Sequence, residues 1–148
     1  MPDSIVLLDI DDFKKINDRN GHLFGDKVLQ AVSDTCRRQL RKNDLFARFG
    51  GEEFVILLDD TDPDLARSIA ERIRQAIADL QILDPAGLRV PVTASLGIAH
   101  RGERVRGAGA ALIEQALGLA DQALYAAKRK GKNRFEFVTF GESMLIPV

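Results

Sequence analysis

Sulfur chemistry is nearly closed to this chain. Of its 148 residues a single one, Cys36, is a cysteine, so an internal disulfide, a disulfide framework and a cysteine-based zinc site are all excluded. Long hydrophobic runs are missing too. Ile5 to Leu8 and Phe54 to Leu58 are the longest, and neither approaches the roughly 20 apolar residues that a membrane-spanning helix needs. No charged-then-apolar leader opens the chain. Neither sign of charge is in excess: 21 Lys plus Arg stand against 22 Asp plus Glu, a net charge of −1. That excludes a uniformly basic nucleic-acid binder and leaves room only for a local basic patch. Internal repeats, low-complexity tracts and linkers are absent as well. What is present is ordinary globular composition, 45% hydrophobic and 29% charged, in a length that suits one cored domain and not two. Residues 1–148 therefore read as a single domain with no nucleic-acid or membrane contact, cytoplasmic by default.

Ile5-Val-Leu-Leu8 is a short continuous apolar run ending at Asp9, the pattern of a central strand. The polar stretch from Asp11 to His22 predicts a loop or short helix, with Asn20-Gly21 as a turn signal. Leu29, Val32, Cys36 and Leu40 recur at helical spacing and predict a helix from about Asp26 to Arg41. Two strand-like runs, Leu45 to Phe49 and Phe54 to Leu58, flank Gly50-Gly51 and predict a β-hairpin. Asp62-Pro63 is an N-cap followed by proline at the first helical position, and Leu65, Ile69, Ile73 and Ile77 supply that helix's apolar stripe. Alternation from Val92 to Ile98 predicts a half-buried strand, and 100–109 a loop. Leu112 to Ala127 forms a last helix with Gly131 at its C′ position, and Phe135 to Phe140 closes as a final strand. Interleaved strands and helices with only one tight hairpin predict an α+β single domain. Its sheet is mixed or largely antiparallel, with flanking helices, and one face is left open for a ligand.

Carboxylates cluster at two places in this order. Asp9, Asp11 and Asp12 follow the first strand, and Glu52 and Glu53 follow the glycine pair of the hairpin. If the hairpin lies beside the first strand, Asp9 and Glu52 converge at one sheet end as a hard, oxygen-rich site of the kind Mg²⁺ takes. Either segment alone reads better as a solvated turn, since turns are commonly glycine-rich and charged.

Taken together, Asp9-Ile-Asp-Asp-Phe-Lys-Lys-Ile-Asn-Asp18, Gly21-His22, Gly25-Asp26 and Arg48-Phe-Gly-Gly-Glu-Glu-Phe54 resemble the GGDEF family of diguanylate cyclases, in its common GGEEF form. The resemblance continues through Ala120-Asp121, Tyr125 and Lys128 to Gly131-Lys-Asn-Arg134, so it covers nearly the whole chain. It implies a palm-like fold, related to ferredoxin-like and nucleotidyl cyclase domains. It also implies condensation of two GTP into cyclic di-GMP with release of pyrophosphate, by a two-fold homodimer. The cofactor implied is Mg²⁺, with Mn²⁺ as an alternative.

Carried onto this sequence, the resemblance makes Asp9, the carbonyl of Ile10, and Glu52 the metal ligands, with Glu53 as the group that assists deprotonation. Asn17 and Asp26 become the guanine readers, and a carboxylate and an amide suit the donors and acceptors of that base. The backbone at Asp12 and Phe13 would offer N–H groups to the phosphates. Lys128 and Lys132 would hold the terminal phosphates, lysine standing at Lys132 where arginine is frequent. Arg41 and Asp44, with Arg72, match a product-inhibitory site for cyclic di-GMP. The resemblance also implies a helix and an Asp-x-Leu-Thr-x-Leu-x-Asn-Arg segment before the first strand, which this chain, starting at Met1, is expected to lack.

Plainer readings accompany these assignments. Asn17 is a loop residue and Asp26 a helix N-cap; Lys128 to Lys132 is a solvated basic helix end; Arg41 is a cation at a helix C-terminus, Asp44 a turn residue and Arg72 part of a solvated helix face. His22 reads as a structural hydrogen-bonding residue, Cys36 as core, and Phe13 and Phe54 as packing anchors. The competing function is a catalytically weak or silent module that binds GTP or cyclic di-GMP within a larger signalling protein. The intact Gly50 to Phe54 motif favours the enzyme. A cyclase of relaxed purine choice, with serine at the Asp26 position, is disfavoured by Asp26 itself.

Overall fold

The computed structural model describes residues 2–102 and 109–141. Its elements are β1 (Ser4–Ile10), α1 (Phe13–Asn20), α2 (His22–Gln39), β2 (Leu45–Gly50), β3 (Glu53–Leu58), α3 (Pro63–Ala78), β4 (Ala94–Arg101), α4 (Ala110–Arg129) and β5 (Phe135–Phe140). The five strands form one sheet in the order β2-β3-β1-β4-β5. β1 is buried along its whole length, as its unbroken apolar run requires of a central strand. β3 and β4 flank it, both antiparallel, and β2 pairs with β3 as a hairpin. Only β5 runs parallel to its neighbour, β4. A parallel pair needs a crossover, and α4 supplies it.

Both faces of the sheet carry helices, which corrects in part the expectation of an open face: on the second face α4 lies over β1, β4 and β5, and β2 stays largely exposed. Val6, Leu8, Phe54, Ile56, Leu58, Leu96 and Ile98 meet Val28, Val32 and Cys36 of α2 and Ile69, Ile73 and Ile77 of α3 in the larger core. Burying side chains of this size stabilises by about 1.5–3 kcal/mol each, so most of the fold's apolar stabilisation lies there. On the other face Ile5, Leu7 and Ala99 meet Ala116, Ala120 and Leu124 of α4 and Phe140 of β5. Alanines bury little area, so α4 must come close to gain contact. Gly97 makes that possible: a Cβ on it would stand 2.1 Å from the carbonyl oxygen of Ala120.

Several element ends differ from expectation. Of the loop or short helix expected after β1, the structure has the helix, α1, because Phe13 and Ile16 find the core. Gly21, at φ 87°, joins α1 directly to α2, which starts at His22. Asp26 is therefore inside α2 and not its N-cap. α2 ends at Gln39, which leaves Arg41 outside it. β4 begins at Ala94, although Val92 is still buried, and it continues through His100 and Arg101 into the expected loop. The remainder of that loop, 103–108, lies outside the described residues. Asp62 caps α3 by accepting from Leu65 N, with Pro63 first in the helix, as predicted. No helix among the described residues is long and apolar enough to cross a membrane.

Candidate functional site

The register of the three central strands brings the two acidic segments together. Asp9 lies opposite Glu53, and Ile10 N donates to Glu52 O at 3.3 Å. The hairpin turns through Gly51 at φ 44°, a backbone state that costs glycine nothing, and a bulge between Arg48 and Gly50 shifts the ladder. Arg48 Nε donates to Gly51 O at 2.8 Å and closes the turn.

Asp9 is 5% exposed. One of its oxygens accepts from Lys128 Nζ, which α4 brings across this face, while the other, Oδ1, is buried without a partner. Burial raises its pKa above the ordinary carboxylate value, and the neighbouring Glu52 and Asp11 add to the rise that Lys128 opposes. Burial also raises Glu53, with Asp9 and Asp121 as like-charged neighbours. Asp121 stood in the family pattern without a role, and its position near Glu53 gives α4 a second charge at this end of the sheet.

Asp12 begins α1 in a left-handed conformation, φ 55°, and no side chain caps that helix. Lys132 Nζ donates to Asp12 Oδ1 at 2.7 Å. This bond lowers the Asp12 pKa and raises that of Lys132. Phe13 is core, as expected of an anchor. Lys128 and Lys132 thus face carboxylates of the acidic end and are not a merely solvated helix end.

Asp26 lines a cavity of about 330 Å³ with Leu29, Arg37, Phe46, Arg48 and Phe54. Asn17 does not line it. Its Oδ1 is buried and unpartnered beside Gly25, where a Cβ would stand 1.7 Å from it. The two expected guanine readers are thus neighbours through Gly25, but only one faces the cavity. A larger cleft of about 570 Å³ opens elsewhere around α1, lined by Asp11, Asp12, Lys15, Arg19 and Arg89. Asp12 is its only residue in common with the expected site.

Arg41 and Asp44 form a bidentate pair, Nη2 to Oδ1 at 2.8 Å and Nε to Oδ2 at 3.1 Å. The same guanidinium also donates to Asp59 O, Asp60 O and Thr61 Oγ1. Arg72 donates to Gln39 O at 3.2 Å, so it reaches the chain two residues before Arg41. The fork of Arg41 is turned inward and holds the β3–α3 connection. Asp44's side chain is fully shielded beneath it.

Among the described residues, the one set of three ligand atoms within 4.8 Å of one another is Asp3, Asp59 and Asp60. It lies at the opposite end of β1 from Asp9, and Asp3 is already bonded to Arg101 and Thr61 N. His22 is exposed at the start of α2, and none of the side-chain hydrogen bonds of the described residues uses it. Cys36 is core, its thiol pushed up to about 12 by burial.

A five-stranded palm-like α+β sheet with carboxylates and lysines at one end of its central strands defines the class as that of nucleotidyl cyclase domains. The chain belongs to the family described as "Diguanylate cyclase, GGDEF domain", whose model matches residues 2–134. It is 47% identical over 133 residues to diguanylate cyclase DgcP of Pseudomonas aeruginosa, covering 89% of this chain and 19% of that protein. It is 44% identical over 131 residues to diguanylate cyclase DgcM of Escherichia coli, covering 88% of this chain and 30% of the other. Among solved structures it resembles the GGDEF domain of DgcB from Caulobacter crescentus in complex with c-di-GMP, with TM-score 0.81, 31% identity and coverage of 90% and 76%. It also resembles the active GGEEF domain of a diguanylate cyclase from Vibrio cholerae, with TM-score 0.77, 32% identity and coverage of 94% and 83%. The chain thus spans between a fifth and about a third of the length of these two curated relatives.

Proposed function

We propose that this domain condenses two GTP into cyclic di-GMP and two pyrophosphates as a two-fold dimer. The observation that carries the reading is the convergence of Asp9 and the Glu52–Glu53 hairpin beside Lys128. The 3′-hydroxyl of one GTP attacks the α-phosphorus of another, pyrophosphate leaves, and a reciprocal attack closes the ring. One sheet end presents one triphosphate, so two copies must face each other, each supplying half of the reacting pair.

Magnesium fits the donors. They are all oxygen, and the buried, unpartnered Oδ1 of Asp9 is an acceptor that a cation would satisfy. Asp9, the Ile10 carbonyl and Glu52 would hold it. Their carboxylates need not close into a cage, since Mg²⁺ keeps waters and takes substrate phosphates as further ligands. When bound it would neutralise triphosphate charge and favour the ionised 3′-hydroxyl. Glu53, opposite Asp9 in the strand register, takes the hydroxyl proton. Lys128 and Lys132 exchange their carboxylate partners for phosphate oxygens. The uncapped N–H groups at the start of α1, around Asp12 and Phe13, face the same charge.

Asp26, on the cavity wall, accepts from the N1–H and N2–H of guanine. Asn17, one helix contact behind it, orients that edge or meets it after a small rotation. Arg41, Asp44 and Arg72 form the product site, and cyclic di-GMP has to displace part of Arg41's inward hydrogen bonding to bind there. A binding-only role is the weaker reading, because every residue of the hairpin motif is present.

Incubation with GTP and Mg²⁺, with products resolved by chromatography, tests the reading. Cyclic di-GMP is expected. Glu52→Gln should abolish it while the fold persists, a loss beyond the roughly 10–100-fold that outer-shell partners of a metal cost. Undiminished turnover in that variant at low Mg²⁺ removes the metal assignment.

A further inference from the structure

Lys132 stands on an unusual piece of backbone. α4 closes with paired bonds, Lys132 N to Ala127 O at 3.0 Å and Gly131 N to Lys128 O at 3.3 Å, the six-residue cap in which Gly131 takes the C′ position. Directly after it, Lys132 and Asn133 are both left-handed, at φ 64° and 48°. Neither is glycine. Lysine in that state costs about 1–2 kcal/mol, asparagine less, and the pair persists only where its surroundings impose it.

The surroundings do so through two side chains from other parts of the chain, Asp11 and Arg74. Asn133 N donates to Asp11 Oδ2 at 3.0 Å. Asp11 is itself immobilised, accepting at 2.7 Å from both Thr93 Oγ1 and Ser95 Oγ, and it is buried. From α3, Arg74 Nη1 donates to Asn133 Oδ1 at 2.8 Å. Arg74 is in turn held by Glu71 Oε2 at 3.1 Å and Gln75 Oε1 at 2.9 Å. None of these groups touches the Lys132 ammonium. They fix the backbone from which it reaches Asp12.

We infer that Arg74, Asn133 and Asp11 form a positioning relay that sets the Lys132 ammonium at the triphosphate end of the site. α3 lies on one face of the sheet and α4 on the other, so the relay ties the two helical layers together at the residue that must meet phosphate. The inference rests on the reading of Lys132 as a phosphate-holding group. Asp11, the middle carboxylate of the acidic segment, is a hydrogen-bonding hub in this arrangement, with two donors on Oδ2 and one on Oδ1.

The test compares two ligands in two backgrounds. Binding of the α,β-methylene analogue of GTP, which cannot release pyrophosphate, is measured by calorimetry, and binding of GMP, which lacks the terminal phosphates, by NMR titration. Asn133→Gly keeps the left-handed backbone without strain and deletes the side chain; Arg74→Met removes the outer anchor by a different route. Each should weaken the analogue about fivefold, the coupling expected of groups in one network, and leave GMP within about twofold. In a Lys132→Ala background the same substitutions should change analogue affinity by less than about twofold. Equal weakening for both ligands, full additivity with Lys132→Ala, or no weakening at all overturns the relay. If Lys132→Ala alone leaves analogue affinity unchanged, the phosphate reading of Lys132 fails first and the relay falls with it. Thermal unfolding of each variant identifies one that has lost its fold, and the other then decides.

Discussion

Asn17 and Gly25 illustrate how one missing methyl group can hold a side chain, here a proposed guanine reader, in place. The Asn17 oxygen lies buried against the Gly25 backbone, where no other side chain could fit. Gly25→Ala would push a Cβ to 1.7 Å from it, so Asn17 must move or α1 must part from α2. Overpacking of this kind costs about 1–3 kcal/mol. The expected outcome is a lowered melting temperature together with poorer discrimination of GTP from ATP, read by calorimetry. In the wild type, adenine would bring an acceptor to Asp26 where guanine brings a donor, and the unpaired carboxylate costs roughly 1–3 kcal/mol or more, about tenfold or greater in affinity. Intact discrimination in Gly25→Ala would remove Asn17 from the reading of the base.

Among the elements, α4 depends most on closeness. Its buried stripe is mainly alanine, and the helix meets β4 over Gly97. Gly97→Ala must drive α4 outward, since the obstructing atoms are backbone, and Lys128 travels with it. Chemical denaturation should show a loss at the upper end of the 1–3 kcal/mol range for overpacking, or more. Gly118→Ala, on the exposed side of the same helix with open space around it, should instead stabilise by up to about 1 kcal/mol. The α2–β2 turn and the β3–α3 connection are tied by Arg41 in a comparable way. Arg41→Ala is therefore expected to weaken cyclic di-GMP binding and also to lower stability, because five hydrogen bonds of the guanidinium to backbone and side-chain acceptors are lost. Arg72→Ala, whose side chain makes one such bond, should weaken product binding with little change in melting temperature. Unchanged product affinity in both variants returns these residues to a purely structural role.

At the scale of the whole molecule the proposed chemistry needs two copies. With GTP saturating, the rate of cyclic di-GMP formation should rise with the square of protein concentration while dimers are scarce, and become linear once they saturate. A strictly linear rate down to the lowest concentration at which the chain sediments as a monomer would overturn the two-fold scheme.

Much of this was legible in the residues themselves. Continuous apolar runs marked β1 and β3, Asp62-Pro63 marked the start of α3, and the glycine pair marked the hairpin, because each is a local consequence of side-chain period or backbone freedom. The family pattern named the acidic and basic residues of the site in the same way, as types at spacings. Tertiary structure alone decided the rest. Pairing of β1 with β3, separated by more than forty residues, put Asp9 beside Glu53. Packing of α2 beside the hairpin shaped the cavity that Asp26 lines. Arg41's fork was turned inward by carbonyls of a distant loop, and the left-handed turn under Lys132 was imposed by Asp11 and Arg74. Hydrogen bonds between residues far apart in the chain leave no periodic trace in it; they exist only once packing has brought donor and acceptor within reach.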